Sequence, residues 1–348
     1  LRGFMGQADY ARVLKEMRLS DGTFWPMPIT LDIGEAPAGK VAAGQSLALR
    51  DLEGVLLAVL HIEDIWRPDR AAEAQALYGT VDPAHPGVAQ LLHKTQPVYV
   101  GGRVEGVEAV VHHSFTDLRH SPAELRHQFA KRGWVQVAAF HTAVPIHAAQ
   151  RKLSARAAQE LGTNLLLHPV VEEEDDYYYR VRCYRAVLEH YPQQTTQLSL
   201  LAIPSRGAGV REVLWHAIVR RNYGCSHLLW EAETEHGYGV DGAALQEAIS
   251  KYGDELGVEF EPREPLVYVE DSADFLPPAQ VPSGTRTRAM DQTELLRRLR
   301  EGLAIPNWFS YPEVIRELQS RYPARAKQGL TLFFTGLSGA GKSTIAKA

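Results

Sequence analysis

The sequence predicts an α/β protein of several domains, and three observations support this prediction. The first 117 residues are β-rich, short apolar strands alternate with helices from residue 118 onwards, and a glycine-rich loop near residue 340 stands between a strand and a helix. Alternation of short buried strands with helices is typical of a parallel sheet covered on both faces. A chain of 348 residues has room for two or three domains.

Composition excludes several classes of protein. The chain has 37 Lys and Arg against 42 Asp and Glu, a formal net charge of −5, so a nucleic-acid binder with a basic surplus is not expected. No apolar run approaches the length of a membrane span. Its two cysteines, Cys183 and Cys225, form neither a disulfide framework nor a CxxC zinc pair. These features favour a cytoplasmic protein without nucleic-acid or membrane partners.

Both ends of the sequence suggest a piece of a longer protein. The chain opens at Leu1 without an initiator Met or a signal peptide, and it closes at Ala348, just inside an expected helix. We therefore expect further residues beyond Ala348.

Residues 1–117 are predicted to form a β-rich accessory domain with one helix at Ala8–Met17. Period-2 and β-branched patterns predict four strands, at Trp25–Ile33, Ser46–Arg50, Val55–Ile62 and Gln96–Val100. Turn dipeptides separate them, at Asp21-Gly22, Glu53-Gly54, Gly101-Gly102 and Glu105-Gly106. Nothing in this region has catalytic spacing.

Residues 118–240 are predicted to form a Rossmann-like α/β domain. Ser121-Pro122-Ala123-Glu124 is a capping box that begins a helix ending at Gly133. The expected strands are Val135–Phe140, Asn164–His168, Thr196–Ile203 and His227–Trp230, and the further helices are 147–161, Tyr177–His190 and Val210–Tyr223. Ligands of such sheets bind beyond the carboxyl ends of the strands, which directs attention to the loops after Phe140, His168, Ile203 and Trp230.

The remaining chain is predicted to contain a smaller third domain at 241–305, a linker at 306–328 and the start of another domain at 329–348. The third domain reads as mainly helical, with helices at Ala243–Tyr252 and Thr293–Arg300 and a turn at Pro282–Thr285. Within the linker, Ser310-Tyr311-Pro312-Glu313 predicts a capping box for a helix that reaches Arg321.

One motif carries specific chemistry. Residues 336–343 match the P-loop pattern GxxxxGK[ST], between an apolar strand at Leu330–Thr335 and a helix that begins at Thr344. Backbone N–H groups of such a loop cradle phosphate oxygens. The predicted ATP-binding residues are Gly336, Leu337, Ser338, Gly339, Ala340, Gly341, Lys342, Ser343 and Thr344. Lys342 would be the catalytic cation on the β- and γ-phosphates and Ser343 the Mg²⁺ ligand.

The chain resembles proteins in which ATP sulfurylase is fused to adenylylsulfate (APS) kinase. Residues 329–348 resemble the opening of APS kinase, and everything upstream resembles ATP sulfurylase. The matching blocks are Gly3–Met5 with Asp9-Tyr10, Met17–Leu19, Tyr178–Tyr184, Leu188–Pro192, Arg211–Ala217, Arg221–Cys225 and, at the junction, Pro306–Phe309 with Pro312–Val314. The resemblance implies a PUA-like N-terminal domain, a nucleotidyltransferase α/β domain, a small third domain and the first strand and P-loop of a kinase.

The sequence departs from the sulfurylase pattern at the loop that the family uses to bind sulfate and ATP. The family form Gln-Thr-Arg-Asn-Pro-x-His-x-x-His appears here from His141 to Gln150. The sulfate-binding Arg position is Ala143 and its amide neighbour is Val144. The positions of this degenerate sulfurylase site are His141, Thr142, Ala143, Val144, His147, Gln150 and, from a separate nucleotide-site segment, Arg206.

Two further loops have lost cations or gained carboxylates. The family loop Gly-Arg-Asp-His-Ala-Gly corresponds to Glu231–His236, and the Lys-bearing loop corresponds to the acidic run Glu172–Asp176. Each charged donor lost from such a site costs about 3 kcal/mol of transition-state stabilisation, and nearby carboxylates repel ATP and sulfate. Taken alone, the acidic run also reads as a solvated surface loop, and His147 as a structural histidine. The segment Ser205–Gly209 is in addition a weak GxG pattern for a dinucleotide.

Three functional hypotheses follow. The first is an APS kinase that makes PAPS from APS and ATP with Mg²⁺, and whose sulfurylase-like domain is an inactive scaffold. The second is a bifunctional enzyme in which His141 and Arg206 compensate for the lost groups. The third is a regulatory module that binds nucleotide without turnover. The resemblance also implies a homo-oligomer, a hexamer or a dimer.

Overall fold

A computed structural model of the chain describes residues 1–171, 176–231, 240–329, 333, 335–337 and 340–342. Within these ranges, no helix is both long and apolar enough to cross a membrane. Most of the strand predicted at Leu330–Thr335 and all of the helix predicted from Thr344 lie outside the described residues.

The N-terminal unit is an antiparallel sheet with short helices. Its five strands are β1 (Gly3–Phe4), β2 (Leu31–Ile33), β3 (Ser46–Arg50), β4 (Leu56–Trp66) and β5 (Val98–Gly106). They run in the order β1-β5-β4-β3, and β2 also pairs with β5. The helices are α1 (Gln7–Glu16), α2 (Glu35–Ala38), α3 (Arg70–Tyr78) and α4 (Pro86–Ala89). The expectation of a β-rich unit agrees with this arrangement, and the one helix expected, at Ala8–Met17, corresponds to α1, whereas α3 was not predicted.

Two predicted turns of this unit are wrong. Gly101-Gly102 and Glu105-Gly106 lie inside β5, which pairs with β4 over nearly its whole length. The glycines are there because of close backbone contacts: a Cβ on Gly102 would lie 2.0 Å from the carbonyl oxygen of His61. Next to this contact the register of β4 against β5 shifts between Ile62 and Asp64, as expected where a glycine allows a strand to bend.

The strand predicted at Trp25–Ile33 is shorter than expected. Only Leu31–Ile33 pairs with β5. Pro26 and Pro28 precede it, and proline cannot donate a ladder hydrogen bond. The stretch before β2 therefore forms irregular chain rather than a strand.

The second unit is a parallel sheet, as predicted, but it has five strands rather than the four expected. The strands are β6 (Val137–Phe140), β7 (Asn164–Leu167), β8 (Thr196–Leu198), β9 (His227–Glu231) and β10 (Glu259–Arg263). Their order is β10-β9-β6-β7-β8, and every described pair is parallel. The helices are α5 (Pro122–Arg132), α6 (Ala148–Glu160), α7 (Tyr177–Leu188), α8 (Gly209–Asn222) and α9 (Gly242–Leu256). The capping box of Ser121 and Glu124 begins α5, and Gly133 ends it.

Helices cover both faces of this sheet. Phe140 and Leu167 pack into a core formed with α6 and α7, whereas Ala139 and Leu166 pack into a second core formed with α5, α8 and α9. Successive residues of a strand point to opposite faces. Burial of both faces explains why the strands read as continuous apolar runs rather than as alternating patterns.

The parallel sheet continues past the boundary expected at 240. Strand β10 pairs along its whole length with β9, so α9 and β10 belong to the sheet. The prediction of a mainly helical piece at 241–305 is also wrong in part, because a small antiparallel sheet follows. Its strands are β11 (Val267–Val269), β12 (Asp274–Leu276) and β13 (Thr287–Arg288), followed by helix α10 (Gln292–Glu301). Strands of two or three residues are too short to produce a periodic pattern.

The segment after 305, predicted as a linker, packs against the parallel-sheet unit. Trp308 stacks on Tyr268 with 5.0 Å between ring centroids, and the N–H of Ala148 donates to the carbonyl oxygen of Phe309 at 3.0 Å. Helix α11 (Pro312–Arg321) lies along α7. The predicted capping box at Ser310 does not form: Tyr311 is the N-cap and makes no side-chain cap hydrogen bond.

Candidate functional site

The carboxyl ends of β6, β7, β8 and β9 meet at one edge of the parallel sheet. This is the edge at which open α/β sheets bind their ligands. The loop after β6, residues 141–147, is therefore the first place to look for a reaction centre. Most of this loop is buried, and only Ala143 and Val144 are partly exposed.

His141 points into the protein rather than towards a ligand. Its side chain is only 2% exposed, and its ring stacks on Trp230 at 4.4 Å between centroids. Its Nδ1 accepts a hydrogen bond of 2.9 Å from Arg220. Because a guanidinium has donors only, this nitrogen carries no proton. The structure thus places His141 in a structural contact, away from the role predicted for it.

Arg220 is a buried cation that the sequence analysis missed. It is completely buried and also donates to Nδ1 of His216 at 2.8 Å and to the carbonyl oxygen of His168 at 3.2 Å. Burial lowers the pKa of His216 to about 4. The same effect, with the positive charge of Arg220, keeps the pKa of His168 well below its ordinary value. Because the pKa values of His168 and His216 are low, these two histidines are neutral, and the positive charge beneath the loop lies on Arg220.

A sequence signal for this cluster exists. Glu212, His216 and Arg220 stand four residues apart on α8, so they share one face of the helix. Polar residues at this spacing within an apolar helix indicate a buried polar network rather than a solvated face.

The remaining polar groups of the loop are used within the protein. The Thr142 hydroxyl donates to the carbonyl oxygen of Val144 at 3.0 Å and accepts from its N–H at 3.2 Å. The carbonyl oxygen of Ala143 accepts from the guanidinium of Arg180, on α7, at 3.0 Å. Arg180 is thus a cation beside the family's sulfate position, and the sequence analysis did not single it out.

His147 and Gln150 stabilise the start of α6. The Oε1 of Gln150 accepts the N–H of His147 at 3.2 Å, and His147 Nδ1 lies 2.8 Å from the Ser310 hydroxyl. The His147 ring is almost fully buried beside Phe309, and burial lowers its pKa to about 4. A histidine in this setting is neutral at physiological pH and offers little to a phosphate.

Arg206 lies apart from the loop. Its guanidinium donates to the carbonyl oxygen of Pro28 in the N-terminal unit at 2.8 Å and lies 5.8 Å from the centre of the Trp215 ring. The buried carboxylate of Glu212 accepts the N–H groups of Arg206 and Ala208, each at 2.9 Å. Because these N–H groups are already bonded, the weak GxG pattern does not form a pyrophosphate cradle.

The two acidic loops are described only at their ends. Glu231 is buried at the end of β9, and residues 232–236 lie outside the described part of the chain. Likewise Glu172–Asp175 lie outside it, while Asp176 accepts from Arg321 at 2.7 Å. The predicted gain of negative charge at this edge therefore stays a prediction.

The P-loop is described in part. The Lys342 ammonium donates to the carbonyl oxygens of Gly336 and Leu337, each at 2.7 Å, so it lies over the loop's own backbone. Gly336 and Gly341 have positive φ angles of 150° and 76°, which glycine adopts readily. Ser338, Gly339, Ser343 and Thr344 lie outside the described residues. Elsewhere in the described chain, no three His, Cys, Asp or Glu side chains are grouped as a metal ion requires.

A parallel sheet with a ligand edge, joined to an antiparallel β unit, defines an α/β protein with an accessory β domain. Comparison with known families agrees with this class. Residues 116–321 match the family described as ATP-sulfurylase, and residues 1–109 match the family described as PUA-like domain. The chain belongs to the ATP-sulfurylase family.

Relatives of known function cover the whole chain. The sulfate adenylyltransferases of Yarrowia lipolytica and Neurospora crassa are each 42% identical to it over 362 aligned residues. The solved structure described as the hexameric APS kinase from Thiobacillus denitrificans superimposes with a TM-score of 0.82 and 39% identity over 100% of this chain. The chain spans 63% of the length of each of these three proteins.

Proposed function

We propose that the protein to which this chain belongs is an APS kinase whose sulfurylase-like unit has lost sulfate adenylyltransferase activity. The kinase reaction transfers the γ-phosphoryl group of ATP to the 3′-hydroxyl of APS, giving ADP and PAPS. The sulfurylase-like unit then serves as a scaffold in a cytoplasmic homo-oligomer, a hexamer or a dimer. Similarity to a structure described as a hexameric APS kinase supports the kinase activity and the homo-oligomer in this proposal.

The proposed loss of sulfurylase activity rests on one observation. In sulfurylase chemistry, sulfate attacks the α-phosphate of ATP, so two anions must meet and cationic donors must be fixed around them. The loop 141–147 supplies no cationic side chain, and His141 and His147 are buried and neutral. His141 is not placed to compensate for the lost cationic groups, because its Nδ1 is bonded to Arg220.

The kinase part of the proposal rests on the P-loop. Lys342 already lies over the loop, where it would contact the β- and γ-phosphates of ATP. The hydroxyl of Ser343 has the oxygen chemistry that Mg²⁺ prefers. When bound, Mg²⁺ neutralises charge on the phosphate oxygens.

The test is PAPS formation from APS and labelled ATP by the protein at its natural length. We expect turnover, and we expect Lys342→Ala to lower kcat at least about a hundredfold, because a charged donor to the transferred phosphoryl group is lost. Lys327→Ala is the matched control, an exposed lysine upstream of the P-loop. Absence of PAPS with the unaltered protein would refute the proposal.

A bifunctional enzyme is the second candidate, and one contact favours it. The Arg180 guanidinium reaches the carbonyl oxygen of Ala143, so a cation from α7 lies beside the position where the family has its sulfate-binding arginine. Similarity to proteins named sulfate adenylyltransferase points the same way. In that case sulfate-dependent exchange of pyrophosphate into ATP would be measurable, and Arg180→Gln would abolish it.

A further inference from the structure

A cavity of about 730 Å³ lies between the N-terminal unit and the parallel-sheet unit. One wall comes from α3, α4 and the residues up to Tyr99, and the other from residues 204–207. None of residues 141–150, all of which the structure describes, lines this cavity. It is therefore separate from the loop that the family uses for sulfate.

A carboxylate forms the floor of the cavity. Glu73 is only 4% exposed, and its Oε2 accepts hydrogen bonds from the hydroxyls of Tyr10 at 2.7 Å and Tyr99 at 3.0 Å. Both of these bonds use Oε2, which leaves Oε1 as the acceptor for a donor inside the cavity. Burial raises the pKa of Glu73, and the hydroxyls of Tyr10 and Tyr99, followed by the guanidinium of Arg206, partly oppose this rise. A carboxylate oriented in this way is a typical partner for sugar hydroxyls.

Positive charge lies around the same cavity. Lys94 is exposed at its edge, and Arg206 lines it from the other unit. His85 Nδ1 accepts the N–H of Gly87 at 3.1 Å, so its proton is on Nε2 as a donor. Asp32 also lines the cavity, but its Oδ2 already accepts the N–H of Gln96 at 2.7 Å. Lys94, Arg206 and the imidazole donor are therefore the groups that favour a ligand with an anionic end.

An aromatic wall completes the lining. The rings of Tyr78 and His85 lie 4.9 Å apart with 35° between their planes. Gly87 packs tightly behind them, since a Cβ there would be 2.5 Å from Tyr78 and 2.6 Å from the carbonyl oxygen of Arg206. The wall is thus held in place by both units, and its ring faces are suited to a planar base.

We propose that this cavity binds a nucleoside 5′-phosphate, with its ribose on Glu73, its base against Tyr78 and its phosphate near Lys94 and Arg206. Such a ligand contacts both units at once, so its binding depends on how the two units are placed relative to each other. The choice of adenine as the base rests on the proposed function, because the substrates and products of an APS kinase are adenine nucleotides. AMP, APS and PAPS share the required chemistry.

The experiment is photolabelling of the natural-length protein with 8-azido-AMP, followed by mapping of the labelled peptides by mass spectrometry. We expect label on the peptides that contain Tyr78 or residues 204–207, and competition by unlabelled AMP, APS or PAPS identifies the source. We expect Lys94→Glu to lower this labelling at least about tenfold. The matched control is Lys40→Glu, an exposed lysine of the same unit that does not line the cavity, and it should leave the labelling unchanged.

The Glu73→Gln variant gives a second readout, because it keeps the side-chain shape and removes the charge. It should weaken labelling of the same peptides while the protein stays folded by circular dichroism. Label confined to other peptides, or labelling that falls equally in Lys94→Glu and Lys40→Glu, would overturn the proposal. PAPS formation, measured on the unaltered protein, tests the proposed function separately, so failure of one does not imply failure of the other.

Discussion

At the residue scale, the polar side chains of loop 141–150 form hydrogen bonds within the protein. His147 remains a histidine, yet its Nδ1 is bonded to Ser310 and its ring is buried beside Phe309. Gln150 stands at the second histidine position, and its side chain bonds the backbone of His147. His147 is thus part of the contact between α6 and the segment after 305.

The buried histidines predict a pH dependence of stability. The pKa of His147 is lowered from 6.5 to about 4 in the folded protein, so below pH 6.5 the unfolded chain binds a proton that the folded protein does not. Stability is therefore highest above pH 6.5 and falls as the pH is lowered, by up to about 1.4 kcal/mol per pH unit for each such histidine. Urea unfolding between pH 7.5 and 5.0 measures this slope, above the range where carboxylates titrate.

His147→Asn isolates one contribution, because the asparagine amide keeps a hydrogen-bonding group beside the Ser310 hydroxyl and does not titrate. We expect a shallower loss of unfolding free energy between pH 6.5 and 5.0 than in the unaltered protein. His127→Asn, on an exposed position of α5, is the control and should keep the original slope. Equal slopes in all three proteins would show that His147 does not titrate as its burial indicates.

The sequence did not predict which way single side chains point. The pattern identified His141, His147 and Arg206 as family positions, but whether a side chain faces a ligand or the core depends on packing partners far along the chain. Arg220 bonds His141 across 79 residues, and Ser310 bonds His147 across 163. No local pattern encodes such partners, although the four-residue spacing of Glu212, His216 and Arg220 does indicate a buried network.

At the element scale, the parallel sheet was the most predictable feature. Its short apolar strands and capped helices have strong local signals, and Ser121, Glu124 and Gly133 fix the two ends of α5 as predicted. The predicted turns were wrong where a glycine is required by close contact with a distant backbone segment. Gly101-Gly102 has the composition of a turn, and only the approach of Met5 and His61 explains its place within β5.

Two glycines of β5 provide a matched test of this explanation. At Gly102, φ is 151° and a Cβ would lie 2.0 Å from the His61 carbonyl oxygen, whereas at Gly106 nothing lies within 4 Å. We expect Gly102→Ala to lower the free energy of unfolding by at least about 3 kcal/mol. Gly106→Ala should change it by less than about 0.5 kcal/mol.

Chemical denaturation of both variants measures the difference. Similar effects of the two substitutions would show that the glycine at 102 is not required by the backbone contact.

At the scale of the whole molecule, the N-terminal unit is fastened to the parallel-sheet unit by arginines of α8 and its preceding loop. Arg211 donates to the carbonyl oxygens of Val13, Pro26 and Leu14, at 2.9, 3.2 and 2.7 Å. Its burial lowers the guanidinium pKa, so the side chain depends on these three acceptors. Arg18 adds an exposed bidentate pair with Glu255.

We expect Arg211→Ala to lower the free energy of unfolding by about 2 to 4 kcal/mol, because three partly buried carbonyl groups lose the Arg211 guanidinium as a donor at once. Arg316→Ala, at a solvent-exposed site on α11, is the control and should change it by less than about 0.5 kcal/mol. Calorimetry on the natural-length protein measures both values. A loss as small in Arg211→Ala as in the control would mean that apolar packing alone joins the units.

This joining of units is what sequence alone predicted least well. The expected boundary at 240 overlooked β10, and the expected linker after 305 packs along α7 and beside loop 141–147. Both errors come from contacts between segments distant in sequence, whose partners are set by tertiary packing rather than by local composition. The unit that resembles a sulfurylase is thus one packed unit, in which the segment after 305 lies beside loop 141–147.

Sulfate-dependent exchange of radioactive pyrophosphate into ATP by the natural-length protein tests the central claim most directly, since it reports adenylyl transfer alone. With an active sulfate adenylyltransferase as the positive control, we predict exchange no greater with sulfate than without it, because loop 141–147 offers no cation to hold sulfate against ATP. Exchange that rises with sulfate concentration and saturates would contradict this account.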